Sequence, residues 1–164
     1  MDEKRWQQID EQEPIAEHIL LRMDEYRKRN IEVIDEKYIK RPSMIEGIRQ
    51  AGVINTGVLD EVGKHIHPGM RTSEIDDIVR EYTHAHNAIC APYKFEGFPK
   101  SVCTSINDEV CHGIPSRLIK IKDGDIINVD CSTIYNGYFS DSSRMFLIGN
   151  VSEEKRRLGQ VTKE

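Results

Sequence analysis

Two aspartates carry the most conspicuous chemistry in this 164-residue sequence. Asp130 and Asp141 lie in DIINVDCSTIYNGYFSDSSRMFLIG, residues 125–149, among apolar or small neighbours. Asn136-Gly137 between them is the dipeptide that most readily supplies the two positive-φ positions of a tight turn, so the stretch is predicted to be a two-stranded hairpin. A turn with two central residues places Asp130 opposite Ser143 and Asp141 opposite Ser132. The aspartates then become diagonal neighbours on one face, roughly 7–8 Å apart at Cα. Like charges aimed at one point repel, unless one is protonated or a cation lies between them. The pair is a candidate metal site; the competing readings are a solvated strand face and an ion pair between Asp130 and Arg144.

Other residues of chemical interest lie just upstream. His112 sits in CHGIP, between a β segment and a proline turn, and Gly113 beside it permits a close backbone approach. A loop histidine near two carboxylates suits a proton carrier or a hydrogen-bond donor. Phe95, Phe98 and Cys103 could line an apolar pocket or simply fill the core. The four cysteines, Cys90, Cys103, Cys111 and Cys131, lack the short spacing of a structural zinc site and read as reduced, mostly buried thiols. His65, His67, His84 and His86 read as solvated histidines at helix ends, where the negative end of the dipole favours them.

These residues need a scaffold. Residues 1–13 are polar and expected to fray. From Pro14, Ile15, Ile19, Met23 and Tyr26 recur at helical spacing, with Asn30 as a stop and residues 31–41 as a connector. A second helix follows Pro42-Ser43, its stripe formed by Ile45, Ile48, Ala51, Val58, Val62 and Ile66, and Pro68-Gly69 ends it. A third is capped by Thr72 or Ser73, has Glu74, Asp76 and Asp77 in its first turn, and buries Ile75, Ile78, Val79 and Tyr82. Strands are expected at Ala88–Ala91 and Ser101–Ile106, separated by the loop PYKFEGFPK, before the hairpin itself. Ser152-Glu153-Glu154 opens a last helix. Residues 1–41 thus form a helical extension and residues 42–164 the main body, an α+β domain.

Composition narrows the partners. The formal net charge is −5, with no broad basic surface for nucleic acid and no polybasic segment for a membrane. No apolar run approaches the ~20 residues of a spanning helix, and the acidic, polar N-terminus is unlike a secretory signal. A cytoplasmic protein is expected.

Two blocks carry a family resemblance. GFPKSVCTSINDEVCHGIP followed by KDGDIINVDCSTIYNGYFSDSSRMFLIG closely resembles type I methionine aminopeptidases of the pita-bread fold (peptidase family M24), from about Ser43 to the chain end. The resemblance implies the N-terminal half of that fold, helices packed on an antiparallel sheet. It also implies removal of the initiator methionine from nascent polypeptides with one or two divalent cations, Co, Mn, Fe or Zn. Asp130 would hold one metal and Asp141 bridge both; His112 would hydrogen-bond the substrate near the scissile amide, as catalytic and substrate-binding residue. Phe95, Phe98 and Cys103 would line the pocket for the methionine side chain, a polarizable thioether that packs well against ring edges. Nascent N-termini are the implied partners, with the ribosome a further one, and the intact protein would be a monomer.

In that family a second half, related to the first by pseudo-twofold symmetry, supplies a ligand histidine, two ligand glutamates and a second catalytic histidine. This sequence reaches Glu164 before any of them, and the chain alone is expected to be inactive. A different class of function is a non-catalytic pita-bread module that binds peptides or protein partners; retention of both aspartates argues against it. A small zinc or thiol protein built on Cys90, Cys103, Cys111 and His112 has the wrong spacings.

Overall fold

The computed structural model describes residues 13–163. Most of the segment expected to fray, residues 1–12, lies outside them. Among the described residues there are four α-helices: α1 (Glu17–Lys28), α2 (Pro42–His65), α3 (Thr72–Ala85) and α4 (Glu153–Val161). The strands are β1 (Ile89–Cys90), β2 (Cys103–Ile106), β3 (Ile126–Tyr135) and β4 (Tyr138–Leu147), joined in one antiparallel sheet. The central strand β3 pairs with β1 and β2 along one side and with β4 along the other. The architecture is the expected α+β one, with α2 and α3 on one sheet face, while α4 touches Met145 and Leu147 at the end of β4 on the other.

The hairpin forms as its turn chemistry dictates. Asn136 and Gly137 have φ of 46° and 91°, the two left-handed positions that a two-residue loop needs. The register follows: Asp130 pairs with Ser143, and Ser132 with Asp141. Alternation then divides the strands. Ile127, Val129 and Cys131 of β3 are buried under the helices, against Val58, Leu59 and Val62 of α2 and Ile75 and Val79 of α3. Asn128, Asp130 and Ser132 stand on the opposite face, with Asp141, Ser143 and Met145 of β4.

The helices differ from their sequence pattern in instructive ways. The α2 stripe is broader than expected: Ile54, Asn55 and Leu59 are buried with Ala51, Val58 and Val62, whereas Ile45 is exposed. In α3 the N-cap is Arg71, not Thr72 or Ser73; the Glu74 carboxylate accepts from Arg71 N at 2.7 Å. Thr72 is withdrawn into the body, where its hydroxyl donates to Ser116 O at 3.2 Å and accepts from Ser116 N at 2.8 Å. Asp76 is buried rather than a solvated first-turn acid. Arg144 does not reach Asp130: it lies on the helix-covered face and pairs with Asp60 of α2 at 2.8 Å.

The extension is tied to the body at the start of α2. The Glu13 carboxylate accepts from the Ser43 hydroxyl and from Ser43 N, the latter at 3.1 Å, while Arg41 donates to Glu13 O. These two bonds from Ser43 hold the Glu13 carboxyl below its ordinary pKa. The helix α1 itself buries only Met23, and Asn30, at φ 54°, ends it with a left-handed residue as the sequence suggests.

Among the described residues, one buried side-chain polar atom has no partner. Thr104, 2% exposed, faces inward beside Val129, and its hydroxyl makes no hydrogen bond. An unpaired buried hydroxyl costs about 1–3 kcal/mol. Thr104→Val keeps the shape and removes the group, so it is expected to stabilise the protein by about 1 kcal/mol, read as a melting temperature raised by about 2–4 °C. A lowered melting temperature would mean that the hydroxyl is satisfied in solution.

Candidate metal centre

The open face of the hairpin carries both aspartates on adjacent diagonals, as the register requires. Asp141 is exposed, and its Oδ1 accepts from the Ser132 hydroxyl at 2.7 Å. Its cross-strand partner thus orients one carboxylate. Asp130 is half-buried. Burial chiefly, and then the charge of Asp141, push its pKa above the ordinary carboxylate value; His112 works against them. A carboxylate held close to another and short of solvent is a poor resting place for an isolated negative charge. The arrangement favours a proton or a cation.

The strand β2 brings the third element. Cys103 is the register partner of Asp130 and is buried. Burial, followed by the Asp130 charge, raises its thiol to about 11, and burial raises Cys131 to about 12. Cys90 is raised as well, again chiefly by burial. These three sulfurs are neutral thiols near neutral pH, a poor basis for thiolate ligation of zinc. Cys111 is the exposed exception, and all four cysteines are free.

His112 arrives by a loop that doubles back on β2. Thr104 N donates to Gly113 O at 2.8 Å, and Gly113 N donates to the Ser105 hydroxyl at 3.2 Å. A side chain at Gly113 would meet Thr104 O at 2.1 Å, so only glycine allows this approach. His112 itself is exposed, with φ of 57°, and its electrostatic effect reaches Asp130.

Phe95 and Phe98 lie on the segment that leads into β2. A tight turn holds them, with Phe98 N donating to Phe95 O and Lys94 N to Phe98 O, each at 2.8 Å. Lys94, Glu96 and Gly97 all have positive φ, at 67°, 46° and 85°. Two of these are non-glycine residues, and such strain concentrates at functional segments. Phe95 is 65% exposed, so this structure does not close it into a pocket. Asp76 anchors the end of the segment, accepting from Ser101 N at 2.7 Å and from Lys100 Nζ at 3.1 Å.

Sequence reasoning missed three supporting residues. Ser132 was legible as the partner of Asp141, but its bond was not. Asp76 looked like a dipole-favouring acid. Asn55 fills the gap between Ala51 and Val58 in the α2 stripe, and a polar residue on an apolar face was the available signal. The helix-end histidines are exposed as expected; His65 meets Glu61 at 3.1 Å and His86 meets Tyr82 O at 2.8 Å. Among the described residues, no three of His, Cys, Asp and Glu come together closely enough to hold a metal ion. The donor set is two carboxylates on one face, which fits part of a hard-cation site.

Comparison with known proteins identifies the family. The sequence model for Metallopeptidase family M24 matches residues 46–164. Methionine aminopeptidase A of Synechocystis is 47% identical over 73% of this chain and 47% of its own length. The Escherichia coli methionine aminopeptidase is 41% identical over 77% of this chain and 48% of its own. The crystal structure of methionine aminopeptidase from Rickettsia prowazekii superposes with a TM-score of 0.74 at 41% identity, covering 76% of this chain and 50% of that one. A prolidase from Pyrococcus furiosus, 21% identical with a TM-score of 0.63, shares the fold. The chain spans about half the length of the curated relatives it matches. Among the described residues, no helix is long and apolar enough to cross a membrane.

Proposed function

From a chain that belongs to metallopeptidase family M24 and carries about half of the pita-bread fold, we propose a methionyl aminopeptidase that removes the initiator methionine from nascent polypeptides. The observation that carries the reading is the Asp130–Asp141 pair, set on one open sheet face by the hairpin register within a chain 47% identical to a methionine aminopeptidase.

Asp130 and Asp141 would hold the divalent cation, Co, Mn, Fe or Zn, with room for up to two. When bound, the cation supplies Lewis acidity that polarises the scissile carbonyl and lowers the pKa of water. Ser132 keeps the Asp141 carboxylate turned for this work. Asp130, raised in pKa by burial and by Asp141, gives up its proton at the cost of repulsion that a cation relieves. His112, exposed on its loop beside the pair, would donate a hydrogen bond to the substrate near the amide. Cys103 remains a neutral, soft thiol, and with Phe95 and Phe98 it would meet the methionine thioether; closure of that pocket requires further surface over Phe95. Residues 42–164 serve as the catalytic portion in this reading, and residues 1–41 as an appended extension.

Two carboxylates alone orient a cation poorly. The 164-residue chain is therefore proposed to be inactive until joined by the remainder of the site. Release of methionine from a Met-Ala peptide with added Co²⁺ or Mn²⁺ tests both statements. The assay compares the chain as it stands with the chain continued through its source gene to the length of its relatives. Turnover is expected only for the longer protein. Robust turnover by the short chain would refute its inactivity, and none by the longer one would refute the aminopeptidase.

A further inference from the structure

Asn55 is fully buried on the apolar stripe of α2. A core amide must recover its lost hydration through hydrogen bonds, and the direction of those bonds is informative. Its Nδ2 donates to Cys131 O at 3.1 Å and to the Ser142 hydroxyl at 2.7 Å. Its Oδ1 accepts from the Thr133 hydroxyl at 2.8 Å. A carbonyl can only accept, so the bond to Cys131 O fixes which end of the amide is nitrogen.

Cys131 and Ser142 are register partners. Their rung lies between the Asp130–Ser143 rung and the Ser132–Asp141 rung. One amide therefore grips both strands at the single rung that separates the two carboxylates, from the helix-covered side of the sheet. Cys131 directly follows Asp130 and Ser142 directly follows Asp141, so neither strand can slide or twist there without moving an aspartate. Metal coordination tolerates only about 0.2 Å in ligand distance, so small shifts of that rung reach the ion.

We infer that Asn55 is a positioning residue for the carboxylate pair, fixing the spacing and twist at which Asp130 and Asp141 face a divalent cation. This rests on the metal reading of the pair given above. Groups behind metal ligands characteristically change affinity by 10–100-fold when removed, whereas a satisfied amide that merely fills the core would affect stability alone.

Mn²⁺ binding to the 164-residue chain, followed by calorimetry or by the electron-spin signal of the free ion, distinguishes the two. Asn55→Ala and Ser142→Ala are each expected to weaken Mn²⁺ binding about tenfold or more. Val58→Ala, which hollows the same core one turn along α2, is expected to lower the melting temperature and leave the Mn²⁺ affinity within about twofold. Should Asn55→Ala fail to fold, the half-buried Ser142→Ala decides. Unchanged affinity in the folded variants, with binding abolished by Asp130→Asn, would overturn the role of Asn55 alone. Binding unaffected by Asp130→Asn, or no binding by the parent chain at about 10 mM Mn²⁺, well above the weakest class of oxygen-ligand sites, would overturn the metal reading beneath it.

Discussion

Replacing Asp130 with asparagine is expected to raise the melting temperature of the metal-free protein and, in the same molecule, to abolish the stabilisation conferred by a divalent cation. The two effects have one cause. Asp130 is half-buried, and burial with the Asp141 charge raises its pKa in the folded state. A carboxyl whose folded pKa exceeds its unfolded value binds its proton more tightly when folded. The stability this provides is fully present below the unfolded pKa and is lost as pH rises through the folded value. Once Asp130 is ionised the folded protein carries this electrostatic penalty, and asparagine removes it without changing size. A cation relieves the same penalty by binding the folded state, and a ligand present at 100 times its dissociation constant stabilises by about 2.7 kcal/mol. Thermal melts with and without Mn²⁺ at neutral pH, for the parent and for Asp130→Asn, provide the check. A variant that melts lower without metal, or that retains the metal increment, contradicts this account. In the protein continued to the length of its relatives, the same substitution is expected to eliminate methionine release.

The second large effect falls far from the carboxylates. Asp76→Ala is expected to lose about 2–4 kcal/mol of stability, the consequence of leaving a buried N–H unpaired (about 1–3 kcal/mol) together with the smaller share of a partly exposed ion pair. Asp76 is 2% exposed, and both of its oxygens are engaged, by Ser101 N and by Lys100. Its removal leaves the N–H of Ser101, itself buried, without its acceptor and the partly exposed Lys100 without its partner. At about 2–4 °C per kcal/mol, a melting temperature lower by about 10 °C follows. Asp76→Asn keeps an acceptor for Ser101 and forfeits the charge pair, so its loss should be smaller. Circular dichroism melts of the two variants rank them. Equal losses would show that the bond to Ser101 N adds nothing beyond the charge pair. An Asn variant as stable as the parent would show that the ion pair with Lys100 contributes nothing, and an Ala variant within about 1 kcal/mol of the parent would show that Asp76 does not anchor the segment. Because that segment continues into Val102 and Cys103, the alanine variant should also loosen the strand that flanks Asp130.

What the sequence could and could not convey follows from where each constraint lies. The hairpin was legible to the residue because Asn136-Gly137 admits one loop length, and a loop of fixed length determines every cross-strand pair. Helices α2 and α3 were legible from apolar spacing, with boundaries marked by proline and glycine. Strands β1 and β2 were placed but drawn too long, since their edges are set by pairing with β3 and not by composition. Asp76 was misread and Asn55 passed over for a common reason. Their partners, Ser101 and Cys131, lie 25 and 76 residues away, and a side chain's local pattern says nothing about a distant backbone group. Phe95 and Phe98 were singled out as pocket residues by resemblance alone, and their turn is held by left-handed Lys94 and Glu96, which no propensity would place there.

The hairpin has a further consequence, for the order of assembly. Both carboxylates belong to one local element, and hairpins close in about 1–10 μs. The contact between Asn55 and Cys131 spans 76 residues and must await the slower docking of α2, because long-range closure bears the greater entropic cost. The proposed ligands are thus arranged before they are locked. An early cation would bind a loosely held pair, and docking of α2 would tighten it. By thermodynamic reciprocity, the cation must favour docking by the same factor. If the pair holds a cation as proposed, metal capture and completion of the core are two readings of a single equilibrium.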